Sequence, residues 1–129
     1  MKSDKTIKTV KDLDVYNLAY EAAMEIFEIS KSFPPEEKYS LTDQIRKSSR
    51  SVAVNIREGF AKKRYLNVFT RHCTDAAGSS EETRGWLDFS LDSKYITLDI
   101  HKKLDKKYDR INAMLNKIIK KWAVIEGHE

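Results

Sequence analysis

The sequence predicts an all-α protein folded as an antiparallel, up-and-down, left-handed four-helix bundle. Three observations lead there. Breakers are scarce, with four Gly and two Pro in 129 residues, which suits long helices better than many short strands. Apolar residues return every three or four positions through most of the chain, the period of one helix face. The connections between these periodic stretches are short, and a brief loop forces neighbouring helices to run antiparallel. A chain of this length suits a single domain, residues 1–129, with enough residues for a core and little room for a second one.

Residues 1–10 are expected to form a mobile N-terminal arm, because the opening MKSDKTIK has no apolar period to hold it. The first helix is expected from Asp12, which can cap or occupy its first turn. Tyr16, Ala19, Ala23, Ile26 or Phe27, and Ser30 mark its buried side. It should stop at Phe33-Pro34-Pro35, since Pro lacks the amide donor and pushes its predecessor out of the α region. The second helix is expected just beyond, with Glu36 and Glu37 near its positive end, and should run to about Gly59 or one turn further.

That second helix, centred on LTDQIRKSSRSVAVNIREGF, has three distinct sides. At about 100° per residue, Leu41, Ile45, Val52 and Ile56 share one arc and Arg46, Arg50 and Arg57 nearly the opposite one. Between them lie Ser48, Ser49, Ser51, Ala53, Asn55 and Gly59, small enough to let a neighbouring helix come close. The next connection falls within Ala61–Tyr65. The third helix follows through Leu66, Phe69, Cys73, Ala76, Ser80, Thr83 and Leu87. Gly78 and Gly85 each cost about 1 kcal/mol against Ala in a helix interior, so close helix packing is the expected reason for them. The pattern breaks near Asp92-Ser93. Thr97 is the expected N-cap of the fourth helix, whose seam reads His101, Leu104, Tyr108, Ile111, Leu115, Ile118 and Trp122. Residues 123–129 are expected to be a frayed tail.

The same residues narrow the chemistry. No apolar run approaches the roughly 20 residues of a membrane span, and the start lacks the apolar core of a signal peptide, so no membrane partner and a cytoplasmic location are expected. Cys73 is the single cysteine; it cannot form an internal disulfide, and its place on the third helix's seam makes it a small buried hydrophobe. There is no Glu-x-x-His pair, no His-Glu-x-x-His helix and no Gly-rich phosphate loop, so no metal, no nucleotide and no cofactor is expected. Glu21, Glu25 and Glu28 read as a solvated face. His72 and Cys73 point about 100° apart on a helix and cannot act as a pair. None of His72, His101 and His128 has the upstream Arg of the helical ribonucleases, and His101 with Asp105 reads as a surface pair or His101 as a seam-edge histidine. No catalytic residue is expected.

The cations are the remaining candidate. The net charge is +4, which permits an acidic partner without requiring one. Arg46, Arg50 and Arg57 project within a narrow arc, Lys47 widens it, and Lys62, Lys63 and Arg64 continue it into the connection. Each could neutralise a phosphate, and with no base-reading signature the contact would be to the backbone and tolerant of sequence. Asp43 and Glu58 stand close enough to pair with Arg46, Lys47 or Lys62, so the competing expectation is a salt-laced, solvated face.

Asp12-Leu13 with Val15-Tyr16, Phe33-Pro34 followed by Glu37 and Tyr39-Ser40-Leu41, Gln44-Ile45-Arg46-Lys47, Asn55-Ile56 with Glu58-Gly59, Phe69, and Gly78-Ser79 followed by Glu82 form an ordered set. In this set the chain resembles the bacterial four-helix bundle proteins encoded within intervening sequences of 23S ribosomal RNA genes. The resemblance spans the first three helices and fades in the fourth. It implies an antiparallel bundle assembling into ring-shaped homo-oligomers, usually pentamers, with no established enzymatic activity. A relative, the accessory protein of diversity-generating retroelements, implies RNA or DNA and a reverse transcriptase as further partners. The chain departs from the family pattern at Tyr16, where Trp is common, at Arg57, where an apolar or small residue is, and over Ala61 to Tyr65, where the family has a Gly/Ser-containing turn. The expected function is therefore a non-enzymatic oligomer that binds nucleic acid or a nucleoprotein. The alternative is a purely structural or protein-binding oligomer, with Trp86, Phe89 and Tyr95 contributing to its seam.

Overall fold

A computed structural model describes residues 6–125, and the side chains of residues 6–122. Four helices account for most of the described chain: α1 (Asp14–Ser30), α2 (Leu41–Ala61), α3 (Leu66–Asp92) and α4 (Leu98–Ile125). Each packs against its sequence neighbours, and α4 returns to α1, closing the bundle. Cross-helix bonds give the directions. The end of α1 meets the start of α2 through Ser30 and Arg46, and its start meets the end of α2 through Tyr16 and Arg57. Ser48 with Thr83 and Asn55 with His72 do the same for α2 and α3. Asp88 with His101 and Glu81 with Asn112 do so for α3 and α4. The bundle is all-α and antiparallel.

The core is the seam the spacing announces. Ala19, Ile26, Ile45, Val52, Ile56, Cys73, Ala76, Leu87, Tyr108, Ile111 and Leu115 are all essentially inaccessible. Trp122 closes one end of it, edge-on to Phe69 at 5.3 Å. The small flank of α2 lets α3 approach closely. A Cβ added at Gly59 would lie 2.7 Å from the His72 Cβ and 3.2 Å from the Phe69 ring. Along the same contact Thr83 donates to Ser48 at 2.8 Å, the Ser51 and Ser79 hydroxyls meet at 2.9 Å, and Asn55 donates to Ser51. Every polar group buried by that close approach thereby keeps a partner.

Several boundaries differ from expectation. Within the expected N-terminal arm, Val10 is buried in the core, and a 3-10 turn over Val10–Asp12 precedes α1. Asp12 is the staple of that turn rather than the start of the helix, since its carboxylate accepts the Lys8 and Thr9 N–H groups, each at 2.9 Å. Residues 1–5 of that arm, and residues 126–129 of the expected tail, lie outside the described residues. Similarly, α2 begins at Leu41 and not just after Pro35, where the chain makes only a 3-10 turn over Pro35–Glu37. Glu37 explains the delay. Its carboxylate accepts from the Ser40 hydroxyl at 2.5 Å, the Leu41 N–H at 3.3 Å and the Tyr95 hydroxyl at 2.8 Å, so it caps α2 from outside. Tyr95 also packs on Phe33, with ring centroids 5.5 Å apart. It thus joins the α1–α2 and α3–α4 connections inside one molecule.

The α3–α4 connection closes as expected near Asp92-Ser93, with Lys94 at φ 66°. Tyr95 N–H reaches Ser90 C=O and Lys94 N–H reaches Leu91 C=O, the paired bonds of a Schellman motif, in which Gly is the usual left-handed residue. Thr97 caps α4 as its sequence suggests, accepting the Ile100 N–H at 3.2 Å. The reason expected for Gly78 and Gly85 fails, because an added Cβ at either would meet nothing within 4 Å. They face outward from the bundle.

Candidate nucleic-acid interface

The arginine side of α2 lies against α1. Arg46 Nε donates to Ser30 Oγ at 2.8 Å and its Nη2 to Phe27 C=O at 3.4 Å, while the guanidinium sits 4.8 Å from the Phe27 ring centroid. Phe27 C=O is one of the last four carbonyls of α1, which lack an amide partner within their own helix, so Arg46 serves as a C-terminal cap. Arg50 lies over the same ring at 5.7 Å. Arg57 donates to the Tyr16 hydroxyl at 3.2 Å and lies 5.9 Å from its ring. Lys47 pairs with Asp43 at 3.0 Å.

Lys62, Lys63 and Arg64 stand differently. All three are exposed beyond the end of α2. Lys62 Nζ is 3.4 Å from His72 Nε2, Lys63 lies 4.2 Å over the Phe60 ring, and Arg64 lies 5.9 Å from the Tyr65 ring. Among the described residues no carboxylate pairs with any of them. Exposed Arg71 follows one turn into α3, and Lys117, Lys120 and Lys121 approach the same end of the bundle on α4. Within the sequence-derived set Arg46 is hydrogen-bonded into the fold, Lys47 pairs with Asp43 at the surface, the exposed Arg50 and Arg57 lie over α1 rings, and Lys62, Lys63 and Arg64 have no carboxylate partner among the described residues.

Sequence spacing misassigned several other charged residues. Glu21 and Glu25 are not simply solvated, since both take Lys107 of α4. Hydrogen bonding and charge from Lys107 hold the Glu21 carboxyl below its usual range. His101 pairs with Asp88 of α3 at 2.7 Å and not with Asp105, because Asp105 is taken by Arg84 at 2.8 Å. That Asp105 bond is the main cause raising the Arg84 guanidinium above its ordinary pKa. Cys73 is wholly buried, and burial pushes its thiol up to about 11, which leaves little thiolate for nucleophilic chemistry. His72 turns the other way, with Nδ1 at 3.3 Å from Asn55 Oδ1. Among the described residues no helix is long and apolar enough to cross a membrane.

This arrangement has known counterparts. A crystal structure of a protein with unknown function from the S23 ribosomal protein family of Bacteroides thetaiotaomicron superposes with a TM-score of 0.75 at 28% identity, covering 82% of this chain and 95% of that one. No curated protein matches the chain. The family model described as 23S rRNA-intervening sequence protein matches residues 11–117. That span runs from the turn before α1 to the last third of α4, and the chain therefore belongs to the 23S rRNA-intervening sequence protein family.

Proposed function

We propose that the protein is a non-enzymatic helical-bundle module that binds the phosphate backbone of nucleic acid, RNA or DNA, and works as a homo-oligomer, a pentamer as the resemblance implies, in the cytoplasm. A reverse transcriptase joins the partners if the gene belongs to a retroelement. The observation that carries the reading is the exposed Lys62-Lys63-Arg64 turn, with Arg57 and Arg71 beside it and no carboxylate pairing with the three turn residues among the described residues. Uncompensated cations bind phosphates by releasing condensed counterions, which is independent of sequence and dependent on salt. Mixed-sequence RNA and DNA titrated against the protein at low salt provide the test. The triple variant Lys62→Gln, Lys63→Gln, Arg64→Gln should weaken binding and flatten its salt dependence. Binding by the wild type no tighter than by a neutral protein of similar size would defeat the reading.

A second reading, a structural homo-oligomer without nucleic acid, is favoured by the outer side of α2 and α3. Phe89 is 62% exposed and Val54 52%. Gly78 and Gly85 lie on the Phe89 side of α3 and present open backbone, where another helix could approach. Light scattering at micromolar concentration tests it: Phe89→Glu should dissociate the assembly, and a wild-type monomer would exclude it.

A further inference from the structure

The fourth helix carries a second set of cations, and the fold sorts them. Its acids within the described residues are Asp99, Asp105 and Asp109. Asp105 and Asp109 turn to Arg84 of α3, at 2.8 and 3.5 Å, and Asp99 is held by Lys103 at 3.2 Å. On the other flank Lys107 is drawn to Glu21 and Glu25 of α1. What remains, besides Lys121, is Lys102, Lys106, Arg110, Lys117 and Lys120, all exposed and none paired with a carboxylate among the described residues. At about 100° per residue these five fall within an arc of about 80°, and from first to last they extend about 27 Å along the helix. Asp109 borders the row and leans away from it toward Arg84.

Three features say what such a row fits. It is fixed by a helix whose opposite side is core, with Leu104, Tyr108, Ile111 and Leu115 all buried. Its length matches the axial rise of about eight base pairs at 3.4 Å each. It contains no aromatic side chain, and its only apolar member, Ala113, is too small to anchor a protein partner. Single strands are held by stacking on aromatic rings, which this flank lacks. We propose that the outer flank of α4, from Lys102 to Lys120, is a track for the phosphate backbone of a nucleic acid duplex. The proposal rests on the nucleic-acid reading above and adds to it both a place and a strandedness.

The experiment compares wild type with the variant Lys102→Gln, Lys106→Gln, Arg110→Gln, using one mixed-sequence duplex in RNA and in DNA form, its single strand, and polyglutamate, across 50–200 mM salt. The three side chains are exposed and unpaired, so the melting temperature should not move, and the Lys117→Gln, Lys120→Gln pair supplies an independent variant. The expected result is duplex affinity about tenfold weaker at low salt for the triple variant, with the slope of log K against log salt reduced by about 2–3. Unchanged duplex affinity and slope in both variants, with wild-type binding intact, would overturn the track while leaving the function in place. Wild type that binds no nucleic acid would overturn both. Equal binding of single strand or polyglutamate would overturn the duplex assignment.

Discussion

Helices α2 and α4 both carry a row of cations at helical spacing, yet the bundle uses them in opposite ways. The cations of α2 face α1, which offers the Phe27 and Tyr16 rings, the Ser30 hydroxyl and the Phe27 carbonyl, so Arg46, Arg50 and Arg57 are drawn onto it. Those of α4 meet carboxylates only at the edges of the row, where Lys103 and Lys107 are taken and the middle is left alone. Being charged and on one arc is common to both. What separates them is the neighbour: a cation hydrogen-bonded to another helix, as Arg46 is to α1, becomes part of the fold, and one without such a bond stays available to a ligand.

If α2 is a packing element on every side, the largest effect should come from its small flank. Gly59→Val should cost about 2–3 kcal/mol by overpacking, because the nearest atom, the His72 Cβ, is fixed to the α3 backbone and cannot swing away. Urea unfolding measures it, and a neutral result would mean that α2 and α3 are looser than the geometry states. Gly78 on the outer side of α3 supplies the opposite sign. With open space around it, Gly78→Ala should stabilise the monomer by about 1 kcal/mol through helix propensity.

A smaller gain is expected where the chain turns into α4. Lys94 occupies the left-handed region, so Lys94→Gly should add about 0.5–1 kcal/mol. The smallest effect appears only in acid, at the entrance to α2. Hydrogen bonds from Ser40 and then Tyr95 hold the Glu37 carboxyl below its ordinary range. The stability it contributes is present above the unfolded-state value, about pH 4.3, and is lost as pH falls through the lowered one. The stability difference between wild type and Glu37→Gln should therefore shrink as the solution is acidified below about pH 4; a difference constant with pH would remove Glu37 as the cap.

Much of this fold was legible because the three-four spacing is local and strong. The buried positions Leu41, Ile45, Val52 and Ile56, and the seam from Leu104 to Leu115, could be read directly. The start of α2 could not, because two acidic residues after a Pro pair resemble a first turn, and only the fold brings Tyr95 to Glu37. The candidate site was legible as residue types and not as roles. Arg46 and Lys62 look alike in sequence, and nothing local tells that one will meet the end of α1 and the other will not. The Gly78 and Gly85 reading failed for the same reason, since a helix pattern does not say which side another helix covers.

The contrast between the two rows is tested most directly by measuring the unfolding free energies of Arg46→Gln and Lys106→Gln side by side in urea. The Arg46 variant loses the Ser30 and Phe27 contacts and should be destabilised by about 1–2 kcal/mol. The Lys106 variant should stay within about 0.5 kcal/mol of wild type. Equal losses, or a larger one at Lys106, would contradict the division of the two helices into a cation row that builds the fold and one left free to bind.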